Sequence, residues 1–509
     1  MAKRKRDNVA KNGSTADSPR KAIKATTPPK QQSSISEQSA PVLTIQIVTG
    51  SYERVLHGFT AGLSLSSEEK NDSSTSAPSV QFSDTFLFHA HASAVRSLAI
   101  SPLPEPDPSQ PQKVILASGG SDERINLYTL SVSPPFVNDK FPSVPLAGNK
   151  ILENPKNREL GSLLHHSSSI SALYFPSHSK LLAGAEDNTI SITKTRDWSV
   201  ISTIKAPRPK AQGRPSGDTA PPGASPSGIN DFAVHPSMKL MLSVGKGEKC
   251  MRLWNLVTGK KAGVLNFGRE ILQSVKEGKW GTGEGRRIVW DAAGEEFAVA
   301  FERGAVVFGT DSTPKCKLLP SPLTKLHDIS YITVDRSKEG EGELLAVSTE
   351  DGRVIFYSTK NTQTSRNEDG EEQIPDAVVV AQLGGKPCGL SGRVKDFELL
   401  ELDGPGPYKD SFAIVTGGSD GIVRVWLLAK NDLNIQKTKK SGEDSKKDAA
   451  SPRQVGTLLG TYETGNRITC LKAFVMRQSD EASASDDSDF ESEEEIEEAS
   501  SDESDEESE

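Results

Sequence analysis

The sequence predicts an all-β chain in which one hairpin unit recurs seven times and the two chain ends complete one unit together. The unit is clearest at residues 414–427, where IVTGGSDGIVRVWL reads as strand, tight turn and strand. Two β-branched residues lead into a turn rich in Gly and Asp, and alternating apolar residues follow it, which is the pattern of a β-hairpin. The recurrence of this unit, more than any single copy, decides the fold.

Six further segments align with this hairpin on its turn, and the first of them is degenerate. They lie at 47–59, 115–128, 181–192, 239–254, 296–308 and 344–357. A second β-like run, rich in apolar residues, precedes most of the hairpins. These runs lie at 94–100, 170–175, 229–235, 288–292, 329–334 and 394–400. We therefore expect each unit to be a small sheet that contains the run and the hairpin.

The two ends of the repeat region carry complementary halves of a unit. The hairpin at 47–59 has no run before it, and the run at 468–474 has no hairpin after it. In a closed ring, the last run would complete the sheet that the first hairpin begins. Closure also removes the free sheet edges that promote aggregation. The sequence thus predicts a ring of seven sheets that is closed by N- and C-terminal strands.

Particular residues in these units resemble the WD-repeat family of β-propellers. The pattern SD-x-x-(I/V)-x-(L/V)-(W/Y) occurs at 121–128 and 419–426, and 251–255 is similar to the same ending. The resemblance implies a seven-bladed WD-repeat propeller. Seven blades of roughly 40–45 residues need about 300 residues. Since the repeat region is longer than this, it must carry insertions.

In such blades the resemblance implies a buried hydrogen-bonded tetrad of His, Ser or Thr, Asp and an aromatic residue. His91, His166 and His327 stand four residues before Val95, Ile170 and Tyr331, as the family's histidine does. The second blade preserves the tetrad best, and its four members are His91, Ser118, Asp122 and Tyr128.

Composition divides the chain into three parts. Residues 1–40 are rich in Lys, Arg, Ser, Pro and Gln, and residues 479–509 are rich in Asp, Glu and Ser, so both are predicted to be disordered. The propeller is predicted at 41–478. Polar insertions within it are predicted as surface loops near 65–79, 131–159, 206–227, 359–376 and 430–452.

The net charge of −9 conceals an asymmetry between the tail and the rest of the chain. The tail holds 17 of the 69 acidic residues and none of the 60 basic ones, so the remainder carries an excess of eight positive charges. A basic body with a polyacidic tail favours contact with nucleic acid or nucleoprotein. The alternative is a solubilising tail on an ordinary propeller.

The N-terminal cluster Lys3, Arg4, Lys5 and Arg6 resembles a nuclear import signal, although a generic basic arm has the same composition. Together with the acidic tail it predicts a location in the nucleus and the nucleolus. The chain contains no apolar run of the length that spans a bilayer, so no membrane contact is expected.

Motifs for catalysis and metal binding are missing from the sequence. It has no Walker A, H-E-x-x-H or G-x-S-x-G motif. The four cysteines are far apart and are expected to be reduced, with neither a zinc site nor a disulfide: Cys250, Cys316, Cys388 and Cys470. We therefore expect a protein that is not an enzyme and has no cofactor and no metal.

A propeller offers two faces and a central channel to its partners. We expect the residues that border the innermost strands to line the top face. The candidate partner-binding residues are Arg96, Ser171, Asn230, Asp231, Lys395 and Asp396. Charged and polar residues at these positions fit a docking surface, and they fit a merely solvated surface nearly as well.

A closer resemblance narrows the class of WD-repeat protein. Segments 47–53, 251–263 and 287–301 resemble the PAK-interacting-protein family of WD-repeat factors for large ribosomal subunit assembly, and the likeness runs from about residue 43 to 476. It implies a nucleolar scaffold, monomeric outside its assemblies, that joins pre-60S particles and supports rRNA maturation. Its partners would be pre-60S ribosomal proteins and assembly factors, with pre-rRNA as a further candidate. The alternative is an adaptor that negatively regulates a PAK-family kinase.

Overall fold

The computed structural model describes most of the propeller region. The described residues are 42–66, 77–105, 112–135, 151–208, 227–278, 281–334, 342–364, 373–390, 392–434 and 452–477. The N-terminal arm, the acidic tail and much of the five predicted insertions lie outside these residues. Within them, the chain forms 28 strands, one short α-helix and three single 3₁₀ turns.

The strands form seven four-stranded blades, and the strands of each blade follow one another from the inner to the outer edge. Blade 1 contains β28 (Ile468–Met476), β1 (Leu43–Ser51), β2 (Val55–Ser66) and β3 (Ala77–His89). Blade 2 contains β4 (Val95–Ile100), β5 (Lys113–Gly120), β6 (Ile125–Ser131) and β7 (Arg158–Leu163). Blade 3 contains β8 (Ile170–Ser177), β9 (Lys180–Ala185), β10 (Thr189–Lys194) and β11 (Val200–Lys205). Blade 4 contains β12 (Ile229–Val234), β13 (Leu240–Gly245), β14 (Cys250–Asn255) and β15 (Lys260–Asn266).

The remaining blades follow the same order. Blade 5 contains β16 (Arg287–Trp290), β17 (Glu296–Ala300), β18 (Ala305–Gly309) and β19 (Pro314–Leu318). Blade 6 contains β20 (Leu326–Thr333), β21 (Glu343–Thr349), β22 (Arg353–Gln363) and β23 (Asp376–Gly384). Blade 7 contains β24 (Val394–Leu402), β25 (Ser411–Gly418), β26 (Ile422–Ala429) and β27 (Thr457–Glu463). A single parallel pair, Lys317 with Asp376, joins the outer edges of blades 5 and 6.

Helical structure in the described residues is limited to connections. Helix α1 (Arg269–Ser274) lies between blades 4 and 5. The 3₁₀ turns are Lys386–Cys388, Gly406–Tyr408 and Lys430–Leu433. None of the helices in the described part of the chain is long and apolar enough to cross a membrane.

The ring is closed by the pairing of the first and last strands. Strand β28 runs antiparallel to β1, from the pair Thr44 and Met476 to the pair Ser51 and Ile468. Each inner strand also contacts the inner strands of both neighbouring blades, so the circle is complete. The predicted seven-bladed propeller with terminal closure is therefore confirmed.

The turn between the second and third strands explains the Asp-containing repeat. In four blades the residue after the turn aspartate has a positive φ, which L-residues other than Asn and Asp adopt rarely and Gly adopts freely. These residues are Glu123 (68°), Asn188 (65°), Gly352 (85°) and Gly421 (81°). The SDG, EDG and EDN sequences of blades 7, 6 and 3 thus place Gly or Asn where the hairpin needs this conformation, whereas blade 2, with the sequence SDE, holds Glu123 in it.

The hydrophobic core lies between neighbouring blades rather than in one central mass. The cluster between blades 7 and 1 contains Ile47, Val415, Val423 and Leu471, which are fully buried. Burying one such side chain contributes roughly 1.5–3 kcal/mol. Because each blade packs against two others in this way, the closing contact between blades 7 and 1 supports the whole ring.

The main difference from the sequence prediction is at the outer edges of the blades. Strand β3 begins at Ala77, β7 at Arg158 and β23 at Asp376, all inside segments that were expected to be loops. Outer strands pack on only one side and keep polar, exposed residues, as the sequence of β7 (RELGSL) illustrates. Their composition therefore resembles that of a loop.

We expect Leu471→Ala to lower the free energy of unfolding by about 2–5 kcal/mol, because it leaves a cavity beside the closing strand. Leu471 is 0% exposed. The matched control is Leu458→Ala on the outer strand β27. Leu458 is 40% exposed, so this substitution should lower the free energy of unfolding by about 0.5 kcal/mol. Denaturant unfolding of both variants measures the difference. Equal effects of the two substitutions would contradict a ring that depends on β28.

Candidate functional site

The top face is the face at which the inner strand of each blade begins. Among the described strands, six of the seven inner strands shift register with the second strand near their first residue. In blade 2, Val95 pairs with Gly120 and Ser97 with Gly119, so Arg96 is the extra residue of a bulge. A bulge redirects a side chain away from the sheet. Ser171, Asn230 and Lys395 occupy the same position in blades 3, 4 and 7.

Two of these four residues present charge and two are used within the fold. The side chain of Arg96 is 46% exposed and lies 3.6 Å from Glu186. Lys395 is half-buried. Ser171 Oγ donates a hydrogen bond to the carbonyl of Gly184 at 3.1 Å, and Asn230 Nδ2 donates one to that of Gly285 at 2.9 Å. The polar groups of Ser171 and Asn230 are therefore already partly satisfied.

The prediction that Asp231 and Asp396 belong to the docking face is corrected. Asp231 is 9% exposed and Asp396 is 7% exposed. Asp231 Oδ2 accepts a hydrogen bond from the amide of Ile288 at 3.0 Å, and Asp396 Oδ2 accepts one from the amide of Leu471 at 2.8 Å. Each carboxylate thus joins its inner strand to the inner strand of the next blade.

A group of charged residues that the sequence analysis missed lies below the rim. Arg287 Nε is 3.3 Å from Asp328 Oδ1, and Arg287 Nη1 is 4.0 Å from Asp231 Oδ1. Burial raises the pKa of Asp328; the neighbouring Asp396 raises it further, while Arg287 opposes the shift. Aligning the inner strands on their bulges places Asp328 in register with Asp231 and Asp396, and this was the signal available in the sequence.

The opposite side of the channel is less charged at this level. The matching positions in blades 1, 2 and 3 are Cys470, Ser97 and Ala172. Further along the channel, Lys472 donates a hydrogen bond to Glu398, and both border a cavity of about 480 Å³. Among the described residues, no group of three or more His, Cys, Asp or Glu side chains could hold a metal ion.

The structure brings the blade 2 tetrad residues together beneath the top face. His91 Nδ1 is 2.9 Å from Asp122 Oδ1, and His91 Nε2 is 2.8 Å from Ser118 Oγ. Burial lowers the pKa of His91, although Asp122 acts in the opposite direction. Burial also raises the pKa of Tyr128 to about 12. These contacts tie the connection from β3 to β4 onto strand β5.

Blade 3 keeps the histidine but takes its serine from a different strand. Ala183 pairs with Leu173 at the position that Ser118 has in blade 2. His166 Nε2 instead lies 2.8 Å from Ser191 Oγ, on the neighbouring strand β10. The register places Ser191 directly opposite Ala183, so the hydroxyl group reaches the same histidine nitrogen from the next strand.

The assignment of His327 to a tetrad is corrected. His327 lies inside strand β20, at the bulge, whereas His91 and His166 precede their inner strands. Its carbonyl accepts a hydrogen bond from Arg287 Nε at 3.4 Å. Its spacing from Tyr331 resembled that of the family because the inner strand begins earlier, at Leu326, than the apolar pattern indicates.

Blade 1 contains a buried contact for which the sequence offered no signal. His57 Nε2 on β2 lies 2.8 Å from Asp84 Oδ1 on β3. Tyr462, on the outer strand of blade 7, donates a hydrogen bond to the same carboxylate. Because Asp84 and Tyr462 lie in blades at opposite ends of the chain, only closure of the ring brings them together.

One segment of this chain matches a sequence repeat of known proteins, and that segment includes strands of two neighbouring blades. Residues 157–193 match the family model described as WD domain, G-beta repeat. The matched residues span β7 to β10, which is the outer strand of blade 2 and the first three strands of blade 3. The fold and this match define the protein as a WD-repeat β-propeller.

Within this class the chain is similar to particular proteins over most of its length. It is 23% identical to "p21-activated protein kinase-interacting protein 1-like" of Xenopus laevis, covering 85% of this chain and 82% of that protein. It is 26% identical to "Protein MAK11" of Saccharomyces cerevisiae, covering 84% and 82%. It is 23% identical to "Shk1 kinase-binding protein 15" of Schizosaccharomyces pombe, covering 68% and 76%.

We expect His327 to make the fold less stable in acid. Burial lowers its pKa to about 4, and the cations Lys395, Arg393, Arg286 and Arg287 act in the same direction. The unfolded chain takes up this proton near its ordinary pKa of about 6.5, so stability is lost as the pH falls from about 6.5 towards 4.

Thermal unfolding at about pH 7 and about pH 5 measures this effect. The midpoint of the unchanged protein should fall more between these conditions than that of His327→Gln. The control is His178→Gln, since His178 is exposed, and it should follow the unchanged protein. Parallel curves for all three proteins would show that His327 remains as easy to protonate in the folded state as in the unfolded chain.

Proposed function

We propose that this protein is a non-catalytic scaffold in the nucleolar assembly of the large (60S) ribosomal subunit, where it supports pre-rRNA maturation. The observation that carries the proposal is the likeness to the PAK-interacting-protein family from about residue 43 to 476. Similarity to MAK11 over 84% of this chain supports it. The family resemblance implies partners among pre-60S ribosomal proteins and assembly factors.

The construction of the ring supports a role in holding partners. Its polar side chains near the channel are used to join blades, as in the contacts of Asp231 with Ile288 and of Asp396 with Leu471. A carboxylate that accepts a hydrogen bond from a backbone amide is already engaged in holding the ring together. Arg96, by contrast, places exposed charge on a rigid rim, which suits contact with a large partner.

The two termini support the nuclear location. The cluster Lys3, Arg4, Lys5 and Arg6 has the composition of a nuclear import signal. The tail at 479–509 carries 17 acidic residues, and such a tail suits a protein that works among basic ribosomal proteins and RNA. A signalling adaptor needs neither feature.

The alternative function is an adaptor that negatively regulates a PAK-family kinase. The names of two relatives favour it, since one is called a p21-activated protein kinase-interacting protein and another an Shk1 kinase-binding protein. The same rigid rim would serve such binding, and the two roles are compatible in one protein.

Sedimentation of the tagged protein from a cell extract tests the proposal. We expect the protein to migrate with pre-60S particles, and its depletion to cause precursors of the large-subunit rRNAs to accumulate. Small-subunit rRNA maturation is the internal control and should be unaffected. Recovery only in light fractions together with a PAK-type kinase would favour the adaptor instead.

A variant with two charge reversals tests whether the top face is the surface that docks onto the particles. Arg96→Glu with Lys395→Glu should remove the protein from the particles, because both residues are on the rim. The matched control is Lys180→Glu with Lys239→Glu, which changes two exposed lysines at the start of second strands or beside them, on the opposite face. A folded rim variant that still migrates with the particles would reject the top face as the docking surface.

A further inference from the structure

Basic residues are concentrated on one side of the channel mouth. Four of them immediately precede the inner strands of blades 5, 6, 7 and 1, and the fifth is the bulge residue of blade 7. We call these five residues the basic crescent: Arg286, Lys325, Arg393, Lys395 and Arg467. In blades 2, 3 and 4 the residue before the inner strand is uncharged, namely Ala94, Ser169 and Gly228.

The crescent forms one continuous surface because the inner strands of these four blades are neighbours in the ring. Arg286, Arg393 and Arg467 are exposed, while Lys325 and Lys395 are half-buried. Arg286 and Lys325 share the carboxylate of Glu302, and the charges of Arg393 and Arg467 both act on Lys395, so these cationic side chains are close to one another. An extended ligand can therefore contact several of them at once.

The carboxylates near the crescent do not balance its charge. Glu302 is shared by Lys325, at 2.8 Å, and Arg286, at 3.7 Å. Glu350 lies 3.0 Å from Arg393. Within the described part of the chain, no carboxylate is within salt-bridge distance of the side chains of Lys395 and Arg467, although Glu53 accepts a hydrogen bond from the amide of Arg467.

The acidic residues below the rim are satisfied by other groups. Asp328 contacts Arg287, which lies deeper in the channel than the crescent. Asp396 accepts hydrogen bonds from the backbone amides of Phe397 and Leu471. At the rim itself, the five cations of the crescent stand beside three carboxylates, Glu53, Glu302 and Glu350, so the surface of the mouth carries more positive than negative charge.

The pKa values of two neighbouring groups, Lys395 and His327, are lowered by burial and also by the cations of the crescent. Burial lowers the pKa of Lys395, and Arg393 and Arg467 lower it further. His327, under the same rim, is affected in the same direction by Lys395, Arg393 and Arg286. Burial is the largest cause of both shifts, and the smaller part that the neighbouring cations contribute is the part that an anionic ligand would relieve.

An exposed aromatic ring stands at one end of the crescent. Tyr52, in the turn between β1 and β2, is 61% exposed, and the guanidinium carbon of Arg467 lies 5.8 Å from the centre of its ring. Proteins that bind single-stranded nucleic acid combine cations along the backbone with aromatic rings on which bases stack. An acidic peptide would use the cations and leave the ring without a role.

We propose that the basic crescent binds the phosphate backbone of single-stranded RNA and that Tyr52 stacks against one of its bases. This deepens the proposed function, on which it rests for the identity of the RNA as a ribosomal precursor. The surface and the class of ligand follow from the residues themselves. The phosphates replace water around the exposed guanidinium and ammonium groups, and their binding releases counterions from the RNA.

Fluorescence anisotropy with the purified full chain and a labelled oligouridine of about 20 nucleotides tests the inference across a salt series. The test variant is Arg393→Gln with Lys395→Gln and Arg467→Gln. We expect its affinity to fall by about tenfold or more. The slope of log K against log salt should decrease by about two, since each single-strand phosphate contact contributes about 0.7.

The matched control neutralises three exposed lysines around the opposite face, Lys113→Gln with Lys180→Gln and Lys239→Gln. It removes the same net charge and should leave the affinity within about twofold and the slope unchanged. Thermal unfolding verifies that both triple variants are folded. Equal losses in the two would show that binding depends on overall charge and would overturn the assignment to the crescent.

Substitution of Tyr52 separates RNA from an acidic protein as the ligand. Tyr52→Ala should weaken RNA binding by about fivefold or more with an unchanged salt slope, and Tyr52→Phe should retain binding. A polyglutamate peptide of equal charge should displace the RNA poorly. Efficient displacement together with an inert Tyr52→Ala would overturn the proposal in favour of an acidic protein partner.

The outcomes also separate this inference from the proposed function. Migration of the unchanged protein with pre-60S particles, without RNA binding by the purified chain, would reject the crescent and keep the assembly role. RNA binding that depends on the crescent, without migration with the particles, would support the surface and reject ribosome assembly as its context.

Discussion

The pairing of β28 with β1 is the contact on which the rest of the structure depends. It joins residues more than 400 positions apart in sequence, such as Thr44 and Met476. Bringing such distant segments together costs on the order of 5 kcal/mol in chain entropy. The buried side chains between blades 7 and 1, including Ile47 and Leu471, offset this cost, since each contributes roughly 1.5–3 kcal/mol. Closure therefore depends on packing between blades as much as on the hydrogen bonds of the strand pair.

A closed ring of similar blades creates equivalent positions around one channel. In six of the seven blades a bulge at the start of the inner strand directs one side chain to the rim, and in blades 4 and 7 the next residue inwards, Asp231 or Asp396, bonds to the adjoining blade. The same position can then hold Arg96 on an exposed surface in one blade and Asn230, bonded to its neighbour, in another. Because the repeats are not identical, the ring is asymmetric, with cations before four consecutive inner strands and uncharged residues before the other three.

Much of the fold could be predicted from the sequence, and less of the site. The inner strands and hairpins were predictable because apolar alternation and the Asp-containing turn are local signals. The roles of Asp231 and Asp396 were not, because a polar residue at the start of a strand can face solvent or the next blade. The same limit applies to His166, whose serine partner lies on β10 because the position on β9 is Ala183. Spacing along the chain does not reveal which strand supplies a hydroxyl group.

The sequence by itself determined that this chain forms seven blades with shared closure, since each repeat encodes its own hairpin and the unmatched halves at 47–59 and 468–474 complete each other. Only the tertiary structure decided which polar residues remain available to bind partners and which are used in contacts between blades. Asp84 and Tyr462 meet because the ring brings blade 7 beside blade 1, and Arg287 joins Asp328 for the same reason of adjacency between blades. Local patterns specify strands and turns, but the surroundings of a charged group depend on residues that are distant in sequence, and the closed ring brings these together.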